Sequence, residues 1–534
     1  MDVESSKAPV KVSLASLEGI DPDTFNWNAY VGTYKGRALI TRLTHIPDLI
    51  LSQPDPSPNA LKLARVAALR AIPLIKEQTW DHALYLGVVS QIARTLNLSK
   101  PTTSDEAMDI DTSYGKKDAE AEGTPDMNWV QEVRDKEEAE NNRLSVELNG
   151  YAANLIKESI RLTHLAQAEL ALKAGSLTEA LKAFNQAREN CSGAAHYVEL
   201  GLAILQGSLQ FNETGVVPGN THKTAASLDR LHPVKEAGDA PVSSTMTRLQ
   251  VLQSRNKAAR AAEARRTVGI KLRVARGILA INMREYSHAA RELGEVGEEG
   301  GLGDWEGVVI STADLAFLTA ILALASGTRD YVKRVLLDRP SFHAAIDDSQ
   351  AWILDLVRAF VGAHYGEALA ILRKAEPYMI LNPFLAAHTA DLLKKIRQRA
   401  LVQYIAPFSS VRIAQMAAAF ETAEDAMVHE VCQLAEDGSV QARVDLVDRV
   451  LTIKEKDMRA EAFRSALEGG RKITADTQAN VFRMRLKEAG VTVDMGDDEG
   501  SGGRGAKSLG LSSKSRVQKD WGLRMKSSWN MYSS

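Results

Sequence analysis

Apolar residues recur at three-and-four spacing through nearly every patterned stretch of this 534-residue chain, and convincing period-two alternation is confined to Val440–Val444. The pattern predicts a mostly α protein. Four stretches break it: the acidic, Ser/Thr-containing run 99–126, the Gly/Pro/Thr-rich run 212–244, the glycine cluster 294–307 and the tail from Asp494 onward. The first two read as surface insertions and the last as a disordered tail. Between the breaks a repeat emerges, in which a turn precedes a helix carrying Ala, a large apolar residue four later and a small apolar residue three after that. Its instances are Ala180/Phe184/Ala187 after Gly175, Ala289/Leu293/Val296 after Tyr286, and Ala368/Leu372/Ala375 after Gly366. This spacing sets the three side chains on one helix face, where Ala lets a preceding helix approach closely and the larger residue fills the groove beside it. It is the pattern of the second helix of a tetratricopeptide-like pair, and such pairs bury their apolar faces only by stacking into a solenoid. A generic helical array fits the spacing equally well.

A second, independent pattern lies near residue 400. After a helix over 384–402, Pro407 is expected to end helicity at Ala406. Ser409 or Ser410 is then expected to cap a helix that buries Ile413, Met416 and Phe420. A second helix is expected from Thr422, with Asp425 completing an approximate capping box, Val428, Val431 and Leu434/Ala435 buried, and Gly438 as its stop. Val440, Ala442 and Val444 share one face of a strand, and an apolar return strand follows over Val447–Ile453. Helix, helix, strand, turn, strand is the order of a winged helix, whose small sheet must lie on the two helices to hide its apolar face. The predicted fold is thus mostly α: a tetratricopeptide-like helical-repeat solenoid, then a winged-helix module and C-terminal helices. The expected boundaries are a disordered N-terminus (1–24), an N-terminal helical region (25–98), an acidic linker (99–126), a solenoid (127–400) with an insertion at 212–244, the winged helix (403–455), C-terminal helices (456–490) and a disordered tail (494–534).

Composition narrows the function. The chain is too long for one hydrophobic core, and its net charge of −3 creates no overall field for nucleic acid or anionic lipid. The two cysteines, Cys191 and Cys432, are far apart and read as small buried hydrophobes; they support neither a disulfide framework nor a thiolate metal cage. No secretory signal, no apolar run of membrane-spanning length, no H-x-H or H-E-x-x-H pair, no phosphate-binding G-x-x-x-x-G-K-[ST] and no G-x-S-x-G is present. His45, His164, His196 and His429 therefore read as packed or surface residues. No catalytic, metal or cofactor-binding residue is expected, and the compartment expected is cytoplasm and nucleus. The helix over 249–279 carries Arg255, Lys257, Arg260, Arg265, Arg266, Lys271, Arg273 and Arg276 with only Glu263 interleaved. An acidic patch on a neighbouring protein suits it better than nucleic acid, because it lacks aromatic platforms for bases. The presumed wing, Asp445–Arg449, and the helix before it are acidic and would repel DNA phosphates, so edge pairing with another protein is the better use of the small sheet. Ile473–Ala489 reads as an amphipathic helix, and the basic tail beyond it as a solvated end or a short binding or nuclear-targeting element.

A helical solenoid running directly into a winged helix is the plan of the PCI domain, and Gly438-Ser439-Val440-x-Ala442-Arg443-Val444-Asp445 resembles its strand. Further blocks, in order, resemble the subunit 1 family of the COP-9 signalosome. They are Tyr30-x3-Tyr34-x-Gly36-Arg37-x2-Ile40-x-Arg42-Leu43, then Asn154-Leu155-Ile156-Lys157-Glu158-Ser159-Ile160-Arg161 with Gly175 to Ser192, and Tyr404-x2-Pro407-Phe408-Ser409-Ser410-Val411 with Met416 to Phe420. The resemblance implies a non-catalytic scaffold subunit of the complex that removes NEDD8 from cullins and so regulates cullin-RING ubiquitin ligases. It implies other PCI subunits as partners, with subunits 2 and 3 as neighbours, and a C-terminal helix joining a bundle from the other subunits. The assembly residues expected are Tyr404, Pro407 and Phe408 at the junction into the winged helix, Met416 and Phe420 in its core, and Ala442, Val444 and Asp445 on the assembly strand. The alternatives are the paralogous proteasome lid subunit, which the Tyr30–Leu43 block disfavours, and a nucleic-acid-binding winged-helix protein.

Overall fold

The computed structural model describes residues 25–54, 56–98, 123–231, 248–299, 301–347, 350–438, 440, 442–445, 448–453 and 458–489. The expected disordered ends, most of the acidic linker, the second half of the 212–244 insertion and Val447 lie outside them. The chain divides into two units, Met1–Lys454 and Glu455–Ser534.

The first unit opens with α1 (Trp27–Val31), α2 (Gly36–Leu51), α3 (Pro58–Gln78) and α4 (His82–Leu98). Alanines 60, 64, 67, 68 and 71 give α3 a smooth buried face, so α2 and α4 lie close on either side of it and share one core with Ile380 and Leu381 from far along the chain. The repeats follow as α5 (Met127–Ala153), α6 (Lys157–Lys173), α7 (Leu177–Glu189), α8 (Ala194–Gln210), α9 (Val217–Leu231), α10 (Arg248–Asn282), α11 (Tyr286–Glu299) and α12 (Thr312–Ser326). After them come α13 (Arg329–Val332) with a π-helical turn over Lys333–Leu337, α14 (Pro340–Ala345), α15 (Trp352–Val361), α16 (Tyr365–Leu381) and α17 (Thr389–Ile405). The three repeat triplets lie on α7, α11 and α16, and every one of their residues is buried. The large residue of the triplet sets a demand on its partner helix: a Cβ on Gly277 of α10 would lie 2.4 Å from Leu293 of α11, so only glycine fits there. Helix α12 is buried on all sides from Ala313 to Ala325 and forms the axis of the main core.

Several sequence expectations are corrected. The first half of the supposed insertion 212–244 is the helix α9, which buries Val217, Thr224 and Leu228 and packs so closely on α8 that Gly201 has no room for a side chain beside Thr224. Its buried residues fall at helical spacing, but polar threonines among them masked the stripe. The glycine cluster 294–307 is not a plain loop: α11 continues through Gly294 and Gly297, and a 3₁₀ turn over Gly303–Trp305 buries Trp305. Gly307, at φ +73°, accepts a hydrogen bond from Lys35 N–H at 2.8 Å. Tyr286 and Gly366 lie in the first turns of their helices rather than in the turns before them. Helicity reaches Ala406, which keeps α-helical angles and donates to Val402 O at 3.1 Å, so the break falls on Pro407 itself.

The winged helix differs from expectation at its start. Ser410 is no cap: Ser410–Arg412 form a strand, β1, ahead of α18 (Ile413–Ala419). Thr422 is no cap either, because its hydroxyl donates to Phe420 O, and α19 begins two residues later, at Glu424, and ends at Glu436. Met427, Val431 and Leu434 are its buried residues, while Val428 and Ala435 are half-buried. β2 (Ala442–Asp445) and β3 (Val450–Ile453) complete an antiparallel sheet in the order β1-β3-β2. Leu451, fully buried on the central strand, is flanked in register by Val411 and Val444, and this row is the apolar face laid on the helices.

Among the described residues the second unit holds one helix, α20 (Met458–Glu488), which begins fifteen residues before the amphipathic stretch at Ile473. Phe463, Leu467, Ile473, Phe482 and Met484 are all exposed along it.

Candidate functional site

Three of the residues expected from the sequence, Tyr404, Phe408 and Phe420, gather where the helical repeats meet the winged helix. Tyr404 from α17, Phe408 beyond Pro407, Phe420 after α18 and Tyr365 from α16 form one aromatic cluster. Phe420 stacks on Tyr365 with ring centres 5.8 Å apart and planes 5° apart, and it meets Tyr404 edge-on at 5.5 Å. Tyr404 also touches Phe408 at 5.7 Å, and Tyr365 meets Phe360 of α15 at 5.6 Å. Offset and edge contacts of this kind add about 0.5–1.5 kcal/mol each beyond area burial. Phe420 and Met416 are buried, whereas Phe408 stays 46% exposed at the rim. Arg397 of α17 reinforces the junction by donating from Nε to both carboxylate oxygens of Glu430, at 2.9 and 3.1 Å, and from Nη2 to Thr422.

On the strand side, Ala442 and Val444 share the half-buried face of β2, and Arg443 and Asp445 point outward. Asp445 accepts a hydrogen bond from Asp448 N–H at 3.3 Å, which closes the hairpin. Among the described residues β2 lies at an edge of the sheet, the position from which a strand can pair with another chain. Arg449, at the base of the wing, pairs with Glu424 at 2.6 Å and Asp425 at 3.2 Å, so the wing's arginine is spent on α19.

A second cluster was visible in the sequence only as a block of resemblance. Tyr30, Tyr34 and Arg42, from the N-terminal helical region, converge on Asp314 of α12. The buried Arg42 guanidinium donates to Asp314, lies over the Tyr30 and Tyr34 rings at 4.7 and 4.3 Å, and leaves its Nε without a partner. Tyr34 donates to the same carboxylate and accepts from Ser311 N–H at 3.1 Å. Tyr30 donates to Leu381 O at 2.9 Å. Burial pushes the Tyr30 hydroxyl up to about 12 and the Tyr34 hydroxyl above the ordinary tyrosine range. Burial also opposes the Arg42 charge, but Asp314 and the two tyrosines outweigh it and keep the cation protonated. Arg37 forms a second clasp: it donates to Asp81 at 2.6 Å and sits 3.8 Å over the Phe211 ring of the repeats. The block thus fastens α1–α4 to α8, α12 and α16.

In the other block of resemblance, Arg161 pairs with Glu158 at 2.7 Å and Glu199 at 3.1 Å, and Leu155 closes α5 at φ +54°. His45 bonds Ile380 O at 3.3 Å, and burial lowers it to about 4. Cys191 and Cys432 are half-buried, and burial raises the Cys191 thiol. Among the described residues, no group of three or more His, Cys, Asp or Glu is placed to hold a metal, and no helix is long and apolar enough to cross a membrane.

Comparison with known proteins follows this architecture. The family model described as 26S proteasome subunit RPN7 matches residues 126–335, and that of the PCI domain matches residues 372–455. The chain is a helical-repeat protein that carries a PCI domain. Within that class its similarity is to COP9 signalosome subunit 1 over most of the chain, with proteasome lid subunits more distant. Subunit 1b of Drosophila melanogaster is 28% identical over 381 residues, 71% of this chain and 67% of the relative. Subunit 1 of Arabidopsis thaliana is 25% identical over 467 residues, 88% and 91% of the two chains. The 26S proteasome non-ATPase regulatory subunit 6 of Dictyostelium discoideum is 19% identical over 347 residues, 65% and 81% of the two.

Proposed function

We propose that this chain is a non-catalytic scaffold subunit of a COP9 signalosome and supports the removal of NEDD8 from cullins within that complex, in cytoplasm and nucleus. The observation that carries the reading is the joint presence of the repeat region and the PCI domain in a chain similar to subunit 1 relatives along most of its length. The free edge of β2 offers backbone donors and acceptors to another PCI subunit, with subunits 2 and 3 as the neighbours proposed. Tyr404, Pro407, Phe408, Met416 and Phe420 hold the winged helix at a set angle to the solenoid, and Ala442, Val444 and Asp445 shape the edge. The exposed apolar residues of α20 suit a bundle with helices from other subunits. Cullin-RING ligases are then met through the assembled complex. The test is co-purification from native cells of the tagged chain and of a Val444→Asp variant. Other PCI subunits should accompany the first and be depleted from the second, since a carboxylate opposite Leu451 puts an unpaired charge in the small core. Equal recovery by both would remove β2 from the assembly surface.

A further inference from the structure

Where the N-terminal helices meet the repeats, two buried polar atoms without a protein partner belong to residues that line one small recess. The atoms are Arg42 Nε and Asn212 Oδ1, a donor and an acceptor. The recess measures about 20 Å³ and lies between α2, the chain just beyond α8, the segment before α12 and the connection from α16 to α17. Ala38 and Thr41 of α2, Val309 and Phe384 also line it. Direct bonds hold these segments at their spacing: the Thr41 hydroxyl donates to Gln210 O at 3.1 Å, and the Gln210 amide donates to Val308 O at 3.2 Å.

The two orphaned atoms define what fits between them. Arg42 is 7% exposed, so its Nε–H has lost the solvent that would otherwise bond it, and leaving it unmet is unfavourable. The guanidinium charge is already met by Asp314, so no anion is called for. A molecule that accepts from Arg42 and donates to Asn212 must carry both functions, and the space admits nothing larger than a water. A recess needs about 10–15 Å³ to hold one water, and buried waters make about three hydrogen bonds.

We propose that this recess is a binding site for a single ordered water, which accepts from Arg42 Nε–H, donates to Asn212 Oδ1 and gives its second proton to the Thr41 hydroxyl oxygen. The bridge ties α2 to the chain beyond α8 and leaves Asp314 as the counter-charge of the guanidinium. A bridging water is nearly as good as a direct hydrogen bond, so this one adds to the fastening of the N-terminal helices. Asn212 is suited to its place, because its φ of +53° lies in the left-handed region that asparagine tolerates and glycine prefers. The proposal stands on the recess alone and does not depend on which complex the chain joins.

Two measurements on the full-length chain test it. A crystal structure at a resolution that shows ordered water should place one water within about 3.2 Å of both Arg42 Nε and Asn212 Oδ1. The second is hydrogen exchange on Asn212→Gly, which suits the left-handed backbone and removes the acceptor. The Asn212 oxygen has no partner in the protein, so without the water its loss should leave α2 as protected as before. With the water, the amides of α2 should lose protection about fivefold, the net worth of one hydrogen bond. A dry recess, a protein oxygen on Arg42 Nε, a chloride in place of the water, or unchanged protection of α2 in Asn212→Gly would each overturn the proposal.

Discussion

The Asp314→Ala substitution strands a cation in the interior. Arg42 is 7% exposed, lies between two tyrosine rings and already has one nitrogen without a partner, so it has no route to water when the carboxylate is removed. Removing one member of a buried pair costs about 3–5 kcal/mol, most of it the desolvation of the charge left behind. Tyr34 loses its acceptor as well, at about 1 kcal/mol more. The loss should fall on the N-terminal helices, because Arg42 and Tyr34 join them to α12. Hydrogen exchange by mass spectrometry reads this locally, which matters in a chain whose units need not unfold together. Amides of α2 should lose protection on the order of a hundredfold or more, and those of α18 and α19 should change little. The double substitution Arg42→Leu/Asp314→Leu removes both charges and should recover most of the about 3–5 kcal/mol lost in the single one. Protection of α2 unchanged to within about 1 kcal/mol in Asp314→Ala would refute the reasoning, since a surface-like pair loses no more than that.

Three further substitutions probe other parts of the structure. Phe420→Ala empties the space between Tyr365 and Tyr404 and should cost about 3–5 kcal/mol, read as a fall in the thermal midpoint of the full chain and as early proteolysis near residue 408. Ala363 closes α15 at φ +65°, a left-handed conformation that suits glycine, so Ala363→Gly should be neutral to stabilising, by up to about 1 kcal/mol in urea unfolding, and a clear loss would contradict the strain. Burial holds His45 at about 4, below its ordinary 6.5, so the folded state favours the neutral ring and acid favours the unfolded one. The stability from the neutral ring is complete above about pH 6.5 and is lost as pH falls toward about 4, by at most ~3.5 kcal/mol at ~1.4 kcal/mol per unit. His45→Leu should flatten that part of the urea midpoint against pH, and an unchanged slope would show the ring to be freely protonated.

The helical class and the winged helix were legible because their signals are local. Ala180, Phe184 and Ala187 share a face by spacing alone, and Ala442 and Val444 alternate with Arg443 and Asp445 along β2, whereas Val440, expected in that strand, lies before it and donates to Leu434 O. What escaped the sequence depends on distant partners. Ser410 and Val411 look like the approach to a helix, and they become a strand only because β3, some forty residues later, offers a free edge. The helix α9 hid behind its threonines, since burial of Thr224 beside Gly201 is a property of the packed pair and not of either helix. The Tyr30–Leu43 block could be matched as a motif, yet nothing near it in sequence points to Asp314, 272 residues away from Arg42. Helix boundaries were also misplaced by small amounts, at Ala406, which stays helical up to Pro407, and at Thr422, whose hydroxyl donates to Phe420 O instead of capping α19.

The most direct test of the central claim is affinity purification of the tagged full-length chain from its native cells, with mass spectrometry of the partners and a cullin deneddylation assay on the eluate. Recovery of other PCI subunits together with deneddylating activity, both lost with Val444→Asp, is the expected result. Recovery of proteasome lid components instead, or of the chain alone without activity, would contradict it.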